Sequence, residues 1–519
     1  MLQQGQLLGY GIRLPVERQT FLLAALPVYF TVNFLVRMAL PQGLELDEAE
    51  QAYFSQWLLS GYSSQPPLYN WLQYGTVQVF GLSLATLSIL KGLLLLASYI
   101  FYWMAARQVI KDRGLAIVAT FGLLTIPQVA FEAQRDLSHT VATIFTSALF
   151  LYSFFRALNR PSIPSFLLLG LATGLGVIAK YNFVLLPVAA FLAIASDRTW
   201  RLRLLDWRLL IAGAVAFVIA APHAMWLTEH FMAASAHTMR KLTGAGNGPL
   251  VAILGGLGSL GLAAIGFGGL TAIIFTLAYR EKLTAIVGAR SDSARLVGRM
   301  LVFALGLIVL MVLFAGVEKV RDRWLTPVLL VLPLYLAVKV DASALSFHRG
   351  LKRIWGVAVV TMVLIPTILT GRVTTASLTG LYQYPNYPFA AISNEVRSQL
   401  TSRPTAVVTL DTHMAGNLRV HLQSPPVLAL STPIGLEPPP LPHHDRLLFV
   451  WRATPDSIPS ALPAKFERYL QERGVEYGSP QIHTVALPYT YGRPEDRYIF
   501  AYAAFDIGGR PYASTVSRR

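Results

Sequence analysis

The chain has 519 residues, of which 54% are apolar and only 13% are charged, so its composition lies outside the range of ordinary soluble domains. It contains no cysteine, which excludes disulfides and thiolate metal sites and leaves the redox compartment open. Its formal net charge of +16 comes from short Lys and Arg clusters between apolar runs, a distribution that argues against nucleic acid as the partner.

Eleven apolar segments are candidates for membrane-spanning helices. They cover about 21–40, 82–104, 115–131, 137–157, 165–179, 182–196, 209–227, 249–279, 300–317, 324–340 and 354–370. We expect the first to stay as an anchor, because it is too long for a signal peptide and lacks a cleavage site. The fifth and sixth are short for independent spans, and the eighth is long enough to be bent or broken.

The basic clusters occupy every second connection between these segments, as the positive-inside rule requires. The longest clusters lie at 198–208 and 280–299. This alternation predicts that the first outer loop, residues 41–81, faces outward. The sequence therefore predicts a polytopic α-helical membrane protein with about eleven transmembrane helices.

The composition changes after Thr370 and becomes polar and proline-rich. Short β-like runs lie at 406–410, 447–451 and 498–505, and a helical candidate lies at 463–473. We therefore expect two domains: a transmembrane catalytic domain over 1–370 and a soluble α/β domain, on the outer side, over 371–519.

The first outer loop is the most unusual stretch of the chain. Its segment 45–50 holds four carboxylates, and no Lys or Arg lies between Met38 and Leu90. A segment with aromatic residues and two adjacent prolines follows at 62–72. Such a stretch between apolar runs is neither a core element nor a simple connector, so we interpret it as the catalytic face of a membrane enzyme.

The predicted topology gathers further polar residues on the same face. They are Glu132, Arg135, Asp136, His139, Lys180, His230, His237, Arg240, Lys319, Arg321 and Arg323. A general base beside cations that hold a phosphate is the arrangement that group transfer needs. Each residue also has a simpler explanation, since carboxylates past helix ends are often solvated and Lys or Arg at helix ends often snorkel to lipid headgroups.

Two repeated patterns have both a structural and a functional interpretation. His223, His230 and His237 recur every seven residues, which favours packing along one helical face over a metal site. Small residues recur at Gly170 and Gly174 and again through 255–269. They favour close helix packing, with an opening for a lipid tail as the alternative.

The first outer loop resembles that of the GT-C membrane glycosyltransferases, in particular the protein-mannosyltransferase-like and aminoarabinose-transferase-like families. In those families a DE pair opens the loop, here Asp47-Glu48, and an aromatic segment with proline closes it, here residues 65–72. Further matches follow in order at Asp136, Lys180-Tyr181 and 319–327. The resemblance covers roughly 20–340, and its Q-P-P-L-Y-x-W-L form is most similar to the rhizobial-type lipopolysaccharide galacturonosyltransferases.

The resemblance implies an inverting enzyme that moves one sugar, galacturonic acid in the rhizobial type, from a polyprenyl-phosphate carrier to lipid A or lipopolysaccharide core. The reaction would take place at the periplasmic face of the inner membrane, and we expect a monomer. Asp47 matches the catalytic aspartate, the general base. The predicted cations for the donor phosphate are Lys180, Arg240, Lys319, Arg321 and Arg323. The predicted substrate-pocket residues are Glu48, Gln65, Tyr69, Arg135, Asp136 and His237.

One departure from the aminoarabinose enzymes affects the phosphate and any metal. Those enzymes carry an acidic residue and then a Lys before the loop proline, where this chain has Ser64 and Gln65. Gln cannot neutralise a phosphate, so another cation must do so. The change also leaves only Asp136, His237 and Glu132 as candidate metal ligands, so a divalent metal stays open but no obligatory one is expected.

Other functions fit the sequence less well. A protein O-glycosyltransferase or an aminoarabinose transferase would share the fold, and a lipid-linked oligosaccharide polymerase or ligase would share the outer face and the carrier. A secondary transporter would carry charged residues within its membrane spans and would often consist of two related halves. The spans of this chain are mostly free of charge, with Lys91 as the main exception, and no half-to-half repeat is seen. A non-enzymatic scaffold would not need the acidic loop.

Overall fold

The computed structural model describes residues 21–62, 64–242, 248–345, 348–399, 404–423, 425–431, 446–454, 461–472 and 481–506, without the side chains of 236–242, 249 and 506. Within these ranges eight helices are long and apolar enough to cross a membrane, and one bent pair of helices passes the same test. Two shorter apolar helices, Ile163–Val177 and Tyr181–Ala195, complete the set. These segments coincide with the eleven that the sequence predicts, which confirms the polytopic helical fold.

The longer helices up to residue 374 are numbered here in chain order. They are α1 (Ala25–Ala39), α2 (Leu46–Phe54), α3 (Leu68–Phe80), α4 (Leu84–Val109), α5 (Arg113–Phe121), α6 (Ser138–Asn159), α7 (Ile163–Val177), α8 (Leu185–Ala195), α9 (Arg208–Leu242), α10 (Pro249–Ala278), α11 (Asp292–Phe314), α12 (Leu332–Ala342) and α13 (His348–Thr374). Helices α2 and α3 form the first outer loop. Helix α10 is a single unbroken helix of 30 residues.

Helix α6 lies at the centre of the membrane part. In an apolar stretch of 18 residues within α6, 89% is buried inside the protein, whereas in the corresponding stretch of α9 only 11% is buried. Helix α7 packs against both α6 and α9. Gly170 in α7 lets α9 approach closely, since a Cβ on Gly170 would lie 2.5 Å from the carbonyl oxygen of Ala212 in α9. The Gly170 and Gly174 pattern thus serves helix packing.

The third predicted span is sharply bent instead of continuous. The chain turns by 75° between Arg113–Thr125 and Gln128–Arg135. Pro127 lacks a backbone N–H, and Ile126 before it has an extended backbone (φ −94°, ψ 113°), as residues before proline prefer. A π-helical turn follows at Gln128–Glu132. The bend leads the chain to Asp136, directly before α6.

The C-terminal part folds around a five-stranded sheet. Its elements are α14 (Phe389–Gln399), β1 (Ala406–Thr409), α15 (Thr412–Leu422), β2 (Val427–Ala429), β3 (Arg446–Arg452), α16 (Ala464–Gln471), β4 (His483–Pro488) and β5 (Arg497–Asp506). The strand order is β2-β1-β3-β5-β4, with β1 parallel to β2 and β3 and with β5 antiparallel to β3 and β4. Three strands and α16 lie where the sequence predicts them, although residue 473 lies outside the described ranges.

The first outer loop shares a hydrophobic core with this sheet. Tyr53, Phe54 and Tyr62 are buried against side chains of α14, α15 and the strands, among them Leu418 and Phe500. The aromatic residues of the loop therefore build the interface with the C-terminal part. As a result, α2 lies between the membrane helices and the sheet.

Candidate active site

Asp47 lies in the first turn of α2. Glu45 precedes this helix and forms a capping box with Glu48, so the carboxylate of each residue accepts a hydrogen bond from the other's backbone N–H. The backbone N–H of Asp47 is still unpaired within the helix and donates to Oδ1 of Asp136 at 2.9 Å. Asp47 is thereby fixed to the segment that precedes α6.

The contact between the two segments is reciprocal. The backbone N–H of Ser138 donates to Oδ2 of Asp47 at 2.8 Å. Leu137 between Asp136 and Ser138 has a left-handed backbone (φ 64°, ψ 50°), which is costly for a branched side chain and is often found at functional sites. Among the described residues, Oδ1 of Asp47 receives no hydrogen bond, so it is available to an incoming hydroxyl.

The electrostatic environment makes Asp47 a stronger base than an exposed carboxylate. Burial raises its pKa above the ordinary value of an aspartate, although the Ser138 amide and nearby cations oppose this shift. Burial also raises the pKa of Asp136, and the negative charge of Asp47 raises it further. Two buried carboxylates this close disfavour the doubly charged state.

A cavity of about 530 Å³ opens beside Asp47. Its polar lining consists of Asp47, Glu50, Ser64, Gln65, His139, Thr140, Lys180, Tyr181, Asn182, Arg323 and Trp324. Its apolar lining consists of Leu137, Val184, Leu185, Ile308, Met311, Val317, Val320 and Leu325. The cavity thus combines two carboxylates (Asp47 and Glu50), two cations (Lys180 and Arg323) and an apolar wall.

The two cations on this cavity differ in their surroundings. Lys180 is buried and donates from Nζ to the hydroxyl of Thr140 at 3.0 Å. Burial and the positive charge of Arg323 lower the pKa of Lys180 to about 8. The guanidinium of Arg323 has no hydrogen-bond or ion-pair partner within the described ranges, so it is available to an anion.

The segment that carries Arg323 is anchored to three helices. Gln128 donates a side-chain hydrogen bond to Asp322, and Asn182 donates to the carbonyl of Trp324. The backbone N–H of Val320 donates to the hydroxyl of Ser259 in α10 at 2.9 Å. Because Asn182 lies two residues after Lys180, the bond to Trp324 holds Arg323 next to the segment of Lys180.

Two residues predicted for the substrate pocket, Glu48 and Arg135, form salt bridges. Glu48 is buried in salt bridges with Arg37 (2.9 Å) and Lys91 (3.1 Å). Arg135 pairs with Glu132 at 2.6 Å. Neither Glu48 nor Arg135 is among the residues that line the cavity, and their role in the substrate pocket stays a prediction.

The other predicted residues lie in different surroundings. Gln65 lines the cavity. Tyr69 is buried and is not among the lining residues, and Asp136 accepts a hydrogen bond from the backbone N–H of Asp47. Lys319 and Arg321 are exposed and lie outside the cavity lining. His237 and Arg240 belong to the stretch of α9 whose side chains lie outside the described residues.

Metal ligands are not grouped in the described part of the chain: no three His, Asp or Glu side chains there form a cluster that could hold an ion. His223 and His230 instead stack on either face of Trp226, at ring distances of 5.6 and 4.6 Å. The packing interpretation of these two histidines therefore fits the structure. The expectation that no metal is obligatory stays a prediction.

Two contacts at the site escaped the sequence interpretation. Ser138 acts through its backbone N–H, and Thr140 through its hydroxyl, so neither residue type suggests catalysis. The available signal was their position, directly after Asp136 at the start of a helix, where backbone N–H groups are unpaired.

Comparisons with known proteins identify the fold and the family. The family model described as dolichyl-phosphate-mannose-protein mannosyltransferase matches residues 64–226. The structure is similar to the crystal structure of ArnT from Cupriavidus metallidurans bound to undecaprenyl phosphate, with a TM-score of 0.60 and 15% identity over 94% of this chain and 98% of that chain. The apo structure of ArnT gives a TM-score of 0.59. The chain therefore has the GT-C fold of ArnT.

The similar sequences come from Rhizobium johnstonii. The lipopolysaccharide core galacturonosyltransferase RgtB is 42% identical over 93% of this chain and 97% of its own length. RgtA, which has the same description, is 42% identical over 92% of this chain and 96% of its own. The lipid A galacturonosyltransferase RgtD is 28% identical over 37% of this chain. Because the similarity to RgtA and RgtB extends over nearly the whole of each protein, the chain belongs to their family, the lipopolysaccharide core galacturonosyltransferases, which are multi-pass membrane glycosyltransferases.

Proposed function

We propose that this protein transfers galacturonic acid from a polyprenyl-phosphate carrier to lipopolysaccharide core or lipid A, with inversion at the sugar. The acceptor and the sugar are those in the names of RgtA, RgtB and RgtD. The single observation that carries the mechanism is the cavity that Asp47 shares with Lys180 and Arg323.

Asp47 is the general base of this proposal. Its Oδ1 takes the proton of the acceptor hydroxyl as the hydroxyl oxygen attacks the anomeric carbon of the sugar. The bond between that carbon and the phosphate oxygen breaks on the opposite face, and the carrier leaves as polyprenyl phosphate. One displacement of this kind inverts the configuration, and the proton ends on Asp47.

Lys180 and Arg323 bind the anionic donor. The leaving phosphate gains negative charge in the transition state, and fixed cations in a partly buried cavity stabilise that charge. The apolar wall, which includes Val184, Leu185 and Ile308, is suited to the first isoprene units of the carrier. The fold also occurs in ArnT, whose crystal structure contains undecaprenyl phosphate, a carrier of this chemical class.

The active site faces the periplasm from the inner membrane in this proposal. The basic connections at 198–208 and 280–299 would lie in the cytoplasm, as the positive-inside rule requires. The first outer loop and the C-terminal sheet lie together on the other side, where the lipopolysaccharide acceptor would be reached.

Transfer in proteoliposomes tests the function and the role of Asp47. Purified protein is given polyprenyl-phosphate galacturonic acid and either core lipopolysaccharide or lipid A. We expect Asp47→Asn to lower kcat about 10²–10⁴-fold, since the amide keeps the shape but cannot accept the proton. We expect EDTA to leave the wild-type rate unchanged.

Folding of the Asp47→Asn protein is checked by its elution from a sizing column and its melting temperature. A fully active Asp47→Asn protein would refute the catalytic assignment. Absence of transfer by the wild type, with activity on aminoarabinose donors or protein acceptors, would refute the proposed donor or acceptor.

A further inference from the structure

The helix that carries Asp47 is too short to fix its own position. Helix α2 has nine residues, and isolated helices of that length are marginal in water. Its orientation therefore depends on the elements that pack against it. On the membrane side these contacts come from Asp136 and Ser138 at Asp47 and from two cations at Glu48.

On the opposite side, one helix of the C-terminal part contacts α2 along its length. At the start of α2, the side-chain oxygen of Asn417 accepts from the backbone N–H of Leu44 at 2.9 Å. His413 in the same helix, α15, donates from Nε2 to the carbonyl of Leu44 at 2.8 Å. Both the backbone N–H and the backbone carbonyl of Leu44, just before α2, are therefore bound by side chains of α15.

In the middle of α2 the two helices touch through their backbones. Gly416 faces Ala49, and a Cβ on Gly416 would lie 1.9 Å from the carbonyl oxygen of Ala49. Because that obstacle is backbone, no side-chain rotation relieves it, and any larger residue at 416 must push α2 away from α15.

At the end of α2, Arg419 closes the contact. Its guanidinium donates to the carbonyl of Ala52 and, at 2.8 Å, to the hydroxyl of Ser55. A cation at the carbonyl end of a helix also suits the helix dipole. Asn417, Gly416 and Arg419 thus hold the start, the middle and the end of one catalytic helix.

We propose that α15 positions the catalytic carboxylate, with Gly416, Asn417 and Arg419 as positioning residues, so that the C-terminal part is a component of the active site and not only an appended domain. This inference rests on the proposed role of Asp47. A displacement of about 1 Å at a reacting group can lower the rate about 10²-fold, so α15 acts on kcat without touching the donor.

Two sets of variants test the positioning role in the transfer assay. We expect Gly416→Ala to lower kcat about 10–10²-fold and to leave KM for the donor within about twofold of the wild type. Gly356→Ala is the matched control, because Gly356 also lies within a helix and a Cβ there would have no atom within 4 Å. Arg419→Ala should lower kcat, and Arg419→Lys, which keeps a donor there, should recover most of it.

Hydrogen–deuterium exchange separates this inference from the proposed function. We expect the amides of 46–51 to exchange faster in Gly416→Ala than in Gly356→Ala, whatever the substrate is. If the wild type transfers no galacturonic acid, the proposed function fails and the exchange result alone decides the inference. The inference would be overturned if Gly416→Ala and Arg419→Ala both kept the wild-type kcat, or if the amides of 46–51 exchanged at the wild-type rate in both. If Gly416→Ala fails to fold, the comparison of Arg419→Ala with Arg419→Lys decides.

Discussion

Asp47 shows how a single carboxylate becomes both accessible and basic. One of its oxygens accepts a hydrogen bond from the Ser138 amide, which orients the group, and the residue lines the cavity. Burial raises its pKa. A base with a raised pKa takes a proton more readily, but it must be ionised to act, so activity should decline as the pH falls through that raised pKa.

Lys180 sets the opposite limit of the pH profile. With a pKa of about 8, its ammonium is charged below pH 8 and neutral above it. If that charge binds the donor, kcat/KM should fall as the pH rises through about 8. Lys180→Arg should move this fall to higher pH, because the guanidinium stays protonated.

The measurement is kcat/KM against pH from about 4 to about 10 for the wild type and Lys180→Arg, since kcat/KM reports groups of the free enzyme. The Asp47-dependent decline on the acid side serves as the internal control and should be the same in both. An identical basic side in Lys180→Arg would show that another group is responsible.

Sequence patterns predicted some of these residues because their roles depend on residue type and position in a loop. Asp47, Lys180 and Arg323 are ionisable groups at predicted helix ends, and all three line the cavity. Glu48, the neighbour of Asp47, was predicted for the substrate pocket. Its partner Lys91 lies 43 residues away, on a helix whose rotation the sequence does not specify, so the salt bridge could not be predicted.

At the scale of secondary structure, Glu48 links three helices through salt bridges. Its salt bridges join α2 to Arg37 in α1 and to Lys91 in α4, with side-chain exposures of 15% and 8%. Burial alone would raise the pKa of Glu48, but the two cations lower it below its ordinary value. Its carboxylate therefore stabilises the fold above the pKa of an unfolded glutamate, and this contribution is lost as the pH falls through the lowered value.

We expect Glu48→Gln to lower the free energy of unfolding by about 3–5 kcal/mol, because it leaves the Lys91 ammonium buried without its carboxylate. Denaturant unfolding in detergent at pH 7 measures the change. Arg37→Gln should cost less, since Arg37 is more exposed. A Glu48→Gln protein as stable as the wild type would contradict a structural role for this residue.

The bend at Pro127 marks the limit of the apolar pattern as a guide to helices. Hydropathy located the third span correctly, because burial in a membrane requires apolar residues over its length. The 75° turn depends on the missing N–H of Pro127 and the extended backbone at Ile126. Such a break leaves the apolar content unchanged, so composition alone did not indicate it.

For the whole molecule, the absence of cysteine permits a direct test of orientation. Tyr491 beside the C-terminal sheet and Leu202 in a basic connection are 49% and 70% exposed. We expect a membrane-impermeant maleimide on spheroplasts to label Tyr491→Cys. Leu202→Cys should react only after the membrane is permeabilised.

Labelling of both single-cysteine proteins in a detergent extract is the control for reactivity. Preferential labelling of Leu202→Cys on intact spheroplasts would reverse the proposed topology and would place the site in the cytoplasm.

The contact between α2 and α15 also has a consequence for biosynthesis. Leu44 and Asn417, which are hydrogen-bonded to each other, are 373 residues apart in the chain, and Glu45 pairs with Arg372 from the last membrane helix. Helix α2 leaves the ribosome long before Arg372, Asn417 and Arg419, which hold it on the side of the C-terminal part. A nascent chain should therefore acquire activity only after the region around residue 419 has folded, so incomplete chains in the membrane would not consume the carrier lipid.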